Sequence, residues 1–171
     1  MAYTMEYTFR KATPIDAKAI WTILQNAIER RKADGSAQWQ DGYPNPTVVN
    51  HDIEKEQGFV LLNGEEIVGY TSILINDEPA YENIEGKWLS DADFVVFHRV
   101  AISASQLGKG LSKVMLAEIE KFALTNNIHS VRADTNFDNM AMLKIFDRAG
   151  YHYCGEVYFR GSARRAFEKL L

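Results

Sequence analysis

The sequence predicts an α+β domain with a mixed, mostly antiparallel central sheet flanked by helices. Two observations carry this. Short runs of β-formers and amphipathic segments follow one another in the order strand, helices, a run of strands, then strand–helix–strand–helix–strands. Asn63-Gly64 lies between two apolar runs and is a strong signal for a tight hairpin. The chain has 171 residues, 46% of them hydrophobic, with no Pro/Gly/Ser-rich linker or charge run. Residues 1–171 are therefore expected to form one domain with a substantial core.

Taken in order, Tyr7 to Lys11 alternates and reads as a first strand. Thr13-Pro14-Ile15-Asp16 is a helix start, since threonine caps, proline suits the first helical position and Asp16 meets the positive end of the dipole. Ile20, Ile23, Leu24, Ala27 and Ile28 form the buried stripe, and Gly35 ends the helix. Gln38 to Pro46 sets Trp39 and Tyr43 among turn residues. These rings either plug the end of the core or wall a small-molecule pocket. A short helix is expected around Thr47 to Glu56, with Val48, Val49 and Ile53 inward, then strands at Phe59–Leu62 and Ile67–Ile75. Tyr81, Ile84 and Trp88 belong to a connection without a clean period. Phe94 to Ile102 is a strand apolar enough to be buried on both faces in its middle.

A glycine-bearing loop, Gly108-Lys109-Gly110, then opens directly into an amphipathic helix with Leu111, Met115, Ile119, Phe122 and Ala123 on one face. His129 to Asp134 is the next strand. Asp138 or Asn139 caps a helix burying Met142, Ile145, Phe146 and Ala149, and Gly150 ends it. Tyr151–Phe159 and Ala163–Leu170 look like a final hairpin turning at Gly161, although Ala163–Leu171 taken alone could equally be a helix.

Strand, flexible loop and helix start are the parts that present a row of backbone N–H groups to an anion. The loop is not a P-loop, because the GxxxxGK[ST] spacing is absent, and it lacks the third glycine of the dinucleotide fingerprint. A formal charge of -4 with scattered basic residues argues against nucleic acid as the main partner. The single cysteine, Cys154, excludes an internal disulfide and any multi-cysteine metal site, and the four histidines lack helical metal-site spacing, so no metal is expected. No apolar run approaches the roughly 20 residues that span a bilayer. The N-terminal MAYTMEYTFRKAT is too polar for a secretory signal, so a cytoplasmic protein without membrane association is expected.

At these residues the sequence resembles the GNAT superfamily of N-acetyltransferases, in particular its small bacterial members. The matching stretches are His98-Arg99-Val100-Ala101-Ile102, the Leu107 to Ser112 loop, Arg132 to Asn136 with Asn139 and Met142, and Phe146 through Gly150-Tyr151. The resemblance covers the last half of the chain; the first half fits in element order and in the Gln38 to Pro44 segment. It implies acetyl-CoA as co-substrate, with its pyrophosphate on the backbone of Leu107, Gly108, Lys109, Gly110, Leu111 and Ser112. The pantetheine arm would pair with the strand Val100, Ala101, Ile102 and enter the opening between two splayed strands, with Asn136, Asn139 and Phe146 beside it. The acceptor is then a primary amine of a small molecule or peptide, acetylated by direct attack in a ternary complex, and a homodimer is the family-level expectation. Trp39, Tyr43 and Trp88 would shape the acceptor pocket.

The chain departs from the family pattern at Leu107, where Arg or Gln is usual, at Ser112, where Gly or Ala is usual, and at Phe146, which occupies the position of a tyrosine acid in many members. The acid's role then falls to water, to Tyr151 or Tyr153, or to nothing; Tyr151 is the candidate. His98 is the candidate base, because histidine titrates near neutrality and this one lies in the strand leading to the cofactor; Asp93 and Asp134 are weaker candidates. Cys154 has no histidine-plus-acid partner that would make it a nucleophile. The alternative to an enzyme is a non-catalytic acetyl-CoA-binding sensor module of the same fold.

Overall fold

The structure, a computed structural model, describes residues 6–171; residues 1–5, part of the stretch read above as too polar for a secretory signal, lie outside the described residues. Eight strands form one mixed, mostly antiparallel sheet. They are β1 (Tyr7–Lys11), β2 (Gly58–Asn63), β3 (Glu66–Ile75), β4 (Glu85–Gly86), β5 (Val95–Ile102), β6 (Ser130–Thr135), β7 (His152–Phe159) and β8 (Ser162–Leu170). The order across the sheet is β1-β2-β3-β5-β6-β8-β7-β4. Four helices flank it: α1 (Ala17–Ala33), α2 (Pro46–Glu54), α3 (Leu111–Thr125) and α4 (Met140–Ala149).

Helix boundaries follow local chemistry. Thr13 begins a 3-10 turn at Pro14–Asp16, and the Asp16 carboxylate accepts the Thr13 N–H at 2.8 Å before α1 proper starts. Asn45 caps α2 by accepting the Val48 N–H at 3.0 Å, and Asn139 caps α4 through Met142 at 3.2 Å. α4 ends at Gly150, whose φ of 84° is the left-handed conformation that a Cβ disfavours. The last segment, ambiguous in the sequence, is a strand. β8 pairs with β6 on one side and β7 on the other, so its backbone is satisfied at both edges.

The connection holding Tyr81, Ile84 and Trp88 is a 3-10 turn (Pro79–Asn83) leading into β4, which the sequence pattern does not reveal. β4 lies so close to β7 that a Cβ on Gly86 or Gly155 would sit 2.1 or 2.2 Å from a backbone oxygen of the other strand.

α3 and α4 cover one face of the sheet, packing Met115, Ile119 and Phe146 against Leu61, Val95, Phe97 and Val131. α1 and α2 cover half of the other face, where Ile20 and Leu24 are fully buried, at about 1.5–3 kcal/mol each. The remaining half is closed by Tyr81, Trp88, Phe94 and Phe159 around Val96, Val157 and Ala166. Behind it, the Arg132 guanidinium lies over the Trp88 and Phe94 rings and pairs with the buried Glu168 at 2.7 Å. Among the described residues no helix is long and apolar enough to cross a membrane.

Candidate active site

The two halves of the sheet meet along β5 and β6, its parallel pair. Their ladder consists of Val95↔Val131 and Val96↔Arg132, after which β5 runs on to Ile102 and β6 to Thr135 without pairing to each other. A wedge therefore opens in the middle of the sheet. A β-bulge sharpens it: Arg99 takes φ 58°, which a non-glycine residue seldom adopts, and the β3/β5 register shifts between Tyr70 and Ser72. The wedge is walled by Phe97, Val100, Thr135, Asn139, Met142 and Phe146, with Trp39 and Tyr43 reaching in from the loop after α1.

That loop is fastened across the wedge. Ser36 Oγ and the Ala37 N–H both donate to Asp138, at 2.6 and 2.8 Å, while Gln38 Oε1 accepts from Thr135 Oγ1 at 3.2 Å and Asn139 Nδ2 at 2.8 Å. Trp39 and Tyr43 thus do both things the sequence allowed: they pack on the α1 core and they line a cavity.

On the α3 side lies a groove of about 710 Å³, bordered by Ile102, Leu107, Gly108, Gly110, Leu111 and Ser112 and by Ile145, Arg148 and Ala149 of α4. Gly108 and Gly110 have φ 79° and 74°, and a Cβ on either would meet no protein atom within 4 Å. The glycines are therefore needed for their left-handed backbone, and the space beside them is open to a ligand. No side chain caps α3, so its first-turn N–H groups remain available to an anion at the positive end of the helix dipole. The groove is also lined by Lys113 and Arg148, and by Lys169, which pairs with Glu120 at 2.5 Å. Open glycines, uncapped amides and basic side chains fit a pyrophosphate carrier.

On the opposite face, a second cavity of about 220 Å³ shares Tyr43, His98, Arg99, Asp134 and Arg164 with the wedge. His98 Nε2 lies 2.8 Å from Glu78 Oε2. A carboxylate can only accept, so Nε2 carries a proton, and in the neutral ring the lone pair is then on Nδ1. Nδ1 is 3.8 Å from Asp134 Oδ2, too far for a hydrogen bond. Asp134 Oδ2 accepts instead from the Tyr81 hydroxyl at 2.7 Å. Burial, reinforced by Asp134, pushes the Tyr81 pKa well above its ordinary value, so this hydroxyl stays a donor.

Arg99 closes one end of this cavity. Its guanidinium donates to both oxygens of Asp52 at 2.6 and 3.0 Å, to Ser72 Oγ at 2.8 Å and to the Tyr43 hydroxyl oxygen. Asp52 also accepts from the buried Tyr70 hydroxyl at 2.5 Å. Burial alone would lower the Arg99 pKa, but Tyr43, Asp52 and Tyr70 outweigh it and leave the pKa raised.

The expected residues distribute as follows. Val100, Asn139 and Phe146 line the wedge, and Ile102, Leu107, Gly108, Gly110, Leu111 and Ser112 line the groove. Ala101 turns instead to the α1 core, the Lys109 amine donates to Gln106 Oε1 at 3.3 Å, and the Ile102 carbonyl already accepts from Arg30 at 3.0 Å. Asn136 lines none of these cavities; its carbonyl accepts the Asn139 N–H at the start of α4.

Two expectations need correction. Tyr151, the candidate acid, lies in the core against Phe97 and Phe146, lines none of these three cavities, and has its pKa pushed up by burial and then by Glu120. Trp88 is likewise away from the cavities: it stacks on Tyr81 and donates to the Tyr81 carbonyl at 3.0 Å. Tyr153 is 56% exposed on β7, and Asp93 bonds Asn76 at 3.0 Å on the surface. Cys154 is buried, and burial, with Glu168, raises its thiol pKa, which leaves it a poor nucleophile. Glu78, Gln38, Asp52 and Arg164 were not foreseen. Each lies far in sequence from the motif it serves.

The sheet is thus split at one parallel pair, with an uncapped helix start on one side and a histidine–carboxylate pair on the other. The acetyltransferase (GNAT) family model matches residues 22–151, and the chain belongs to this family. The crystal structure of a GNAT-family acetyltransferase from Streptococcus agalactiae is similar along almost its whole length, with 32% identity, coverage of 99% of this chain and 98% of that one, and a TM-score of 0.90. A GNAT-family acetyltransferase from Listeria monocytogenes shares the fold at 21% identity, coverage of 98% and 96%, and a TM-score of 0.78. So does yncA from Salmonella typhimurium, solved with its cofactor acetyl-CoA, at 18% identity, coverage of 96% and 94%, and a TM-score of 0.67. A search of curated proteins finds no match.

Proposed function

We propose that this protein is a single-domain N-acetyltransferase that moves the acetyl group of acetyl-CoA to a primary amine by direct attack in a ternary complex. The observation that carries the reading is the wedge between β5 and β6. Val100 and Phe146 line it while their neighbours Ile102 and Ile145 line the anion-binding groove, and His98 lines both the wedge and the cavity that holds Glu78. Acetyl-CoA supplies the activated acyl carbon when bound.

The chain's own groups do the rest. The Leu107–Ser112 backbone and the start of α3 hold the pyrophosphate, and β5 at Val100 guides the arm. An incoming ammonium gives its proton to His98 Nδ1, because only the free amine is a nucleophile. The resulting imidazolium is stabilised by Glu78 at one nitrogen and Asp134 near the other. Tyr43 takes the acid's place that Tyr151 does not reach: it lines both cavities, and its oxygen accepts from Arg99, leaving its own proton uncommitted.

The experiment is thiol release from acetyl-CoA against a panel of primary amines. Turnover with at least one amine is expected. Acetyl-CoA binding without turnover on any of them would favour the sensor reading, for which Phe146 at the usual tyrosine position speaks.

A further inference from the structure

Arg164 is a feature of the acceptor cavity that the proton-transfer groups leave unexplained. It lies on β8, is 9% exposed, and lines both the wedge and the acceptor cavity. Among the described residues its guanidinium makes no hydrogen bond, and its Nε is fully buried without a partner. The nearest carboxylate oxygen, Asp134 Oδ1, stands 3.8 Å from Nη1, beyond hydrogen-bonding range. The face of the group rests on the Phe159 ring. Arg132, the comparable buried arginine of β6, shows what satisfaction looks like here, with Glu168 at 2.7 Å and the Ser90 carbonyl at 2.6 Å. A buried guanidinium with unused donors is costly unless something else takes them.

We infer that the acceptor carries a carboxylate close to its amine, that it is an amino acid, and that Arg164 receives the carboxylate. The inference rests on the acetyltransferase reading and names its substrate class. Asp134 sets the spacing: Arg164 Nη1 stands 3.8 Å from one of its oxygens and His98 Nδ1 3.8 Å from the other. The site for an anion and the site for an amine are therefore neighbours across a single carboxylate, as the two ends of a small amino acid are. The planar fork of Arg164 matches a carboxylate. A phosphate dianion fits less well, because Asp134 and Glu78 stand beside it and repel the second charge. Polyamines and aminoglycosides bring no anion and would leave the Arg164 donors unused.

The test compares L-amino acids with their amides and with the corresponding decarboxylated amines, by acetyl-CoA-dependent thiol release and by calorimetric binding. Wild-type protein, Arg164→Met and Arg164→Lys are each measured, and unchanged acetyl-CoA affinity confirms that the variants fold. The acids are expected to be preferred at least about tenfold over their amides, mainly in KM. Arg164→Met should abolish the preference, and Arg164→Lys should restore part of it. Equal use of acid and amide, a preference that survives Arg164→Met, a preferred amino-sugar phosphate or polyamine, or no amino acid bound at all would each overturn the inference. The two failures separate cleanly: turnover without carboxylate preference sinks the inference alone, whereas acid-selective binding without any turnover keeps the carboxylate site and sinks the transferase reading.

Discussion

His98 Nε2 and Glu78 Oε2 are 2.8 Å apart, although the residues lie on different elements and twenty positions apart in the chain. The contact fixes the imidazole ring and leaves Nδ1 as its basic atom. Replacing His98 with alanine should lower kcat by about 10²–10⁴-fold while leaving acetyl-CoA affinity near the wild-type value. Glu78→Gln keeps a hydrogen-bonding group but removes the charge that stabilises the imidazolium. A smaller loss is expected, confined to kcat. Steady-state kinetics with calorimetry of acetyl-CoA on each variant checks both; a His98→Ala enzyme with unchanged kcat would remove the base from the mechanism.

Gly110 heads α3 with φ 74°. An alanine there costs about 1–2 kcal/mol in the left-handed conformation, or else moves the first-turn amides. Gly110→Ala should therefore weaken acetyl-CoA binding by about tenfold with little change in kcat at saturation. Calorimetric titration reads the change directly.

Arg132 and Glu168 form a buried pair at 2.7 Å, with Glu168 completely inaccessible. Removing one partner strands the other charge. Arg132→Met or Glu168→Gln alone should destabilise the fold by about 3–5 kcal/mol, and the double variant Arg132→Met, Glu168→Leu should recover much of that. Denaturant midpoints at constant m-value give the comparison.

Asp16 accepts from Arg10 at 2.7 Å and from the Thr13 N–H at 2.8 Å, and the Arg10 hydrogen bond is the main reason its pKa is lowered on folding. The folded carboxyl titrates below the unfolded one. Its stabilising effect is thus complete above an unfolded pKa of about 3.9 and is lost as pH falls through the folded value. Asp16→Asn should cost about 1 kcal/mol at neutral pH, since Arg10 is partly exposed and its pairing is screened by solvent. The deficit should shrink in strong acid, which thermal melts of both proteins between neutral and acid pH would show.

Features carried by local chemistry were legible in the sequence. The Asn139 cap, the Gly150 stop and the glycine loop each depend on a few adjacent residues and form as read, and the β2–β3 hairpin forms one residue later than read, turning at Gly64-Glu65 with Asn63 paired to Glu66. Ala163–Leu171 was ambiguous because Arg164, Arg165, Glu168 and Lys169 interrupt any clean alternation, and the identity of Ser162–Leu170 as a strand comes from partners at both edges. The same limit governs the site. His98 could be picked out because it lies in the strand that leads to the glycine loop. Glu78 and Arg164 reach it from a 3-10 turn and from the last strand, so no spacing in the sequence links them. Among the aromatic residues, sequence alone could not separate Tyr43, whose loop is tied across the wedge by Gln38 and Ser36, from Tyr151 and Trp88, which tertiary packing turns into cores.

The wedge and the Leu107–Ser112 cradle are the centre of the account, and calorimetric titration of the wild-type protein with acetyl-CoA tests them most directly. One saturable site per chain, weakened by Gly110→Ala and insensitive to His98→Ala, is the predicted result. No heat of binding at millimolar acetyl-CoA would contradict it.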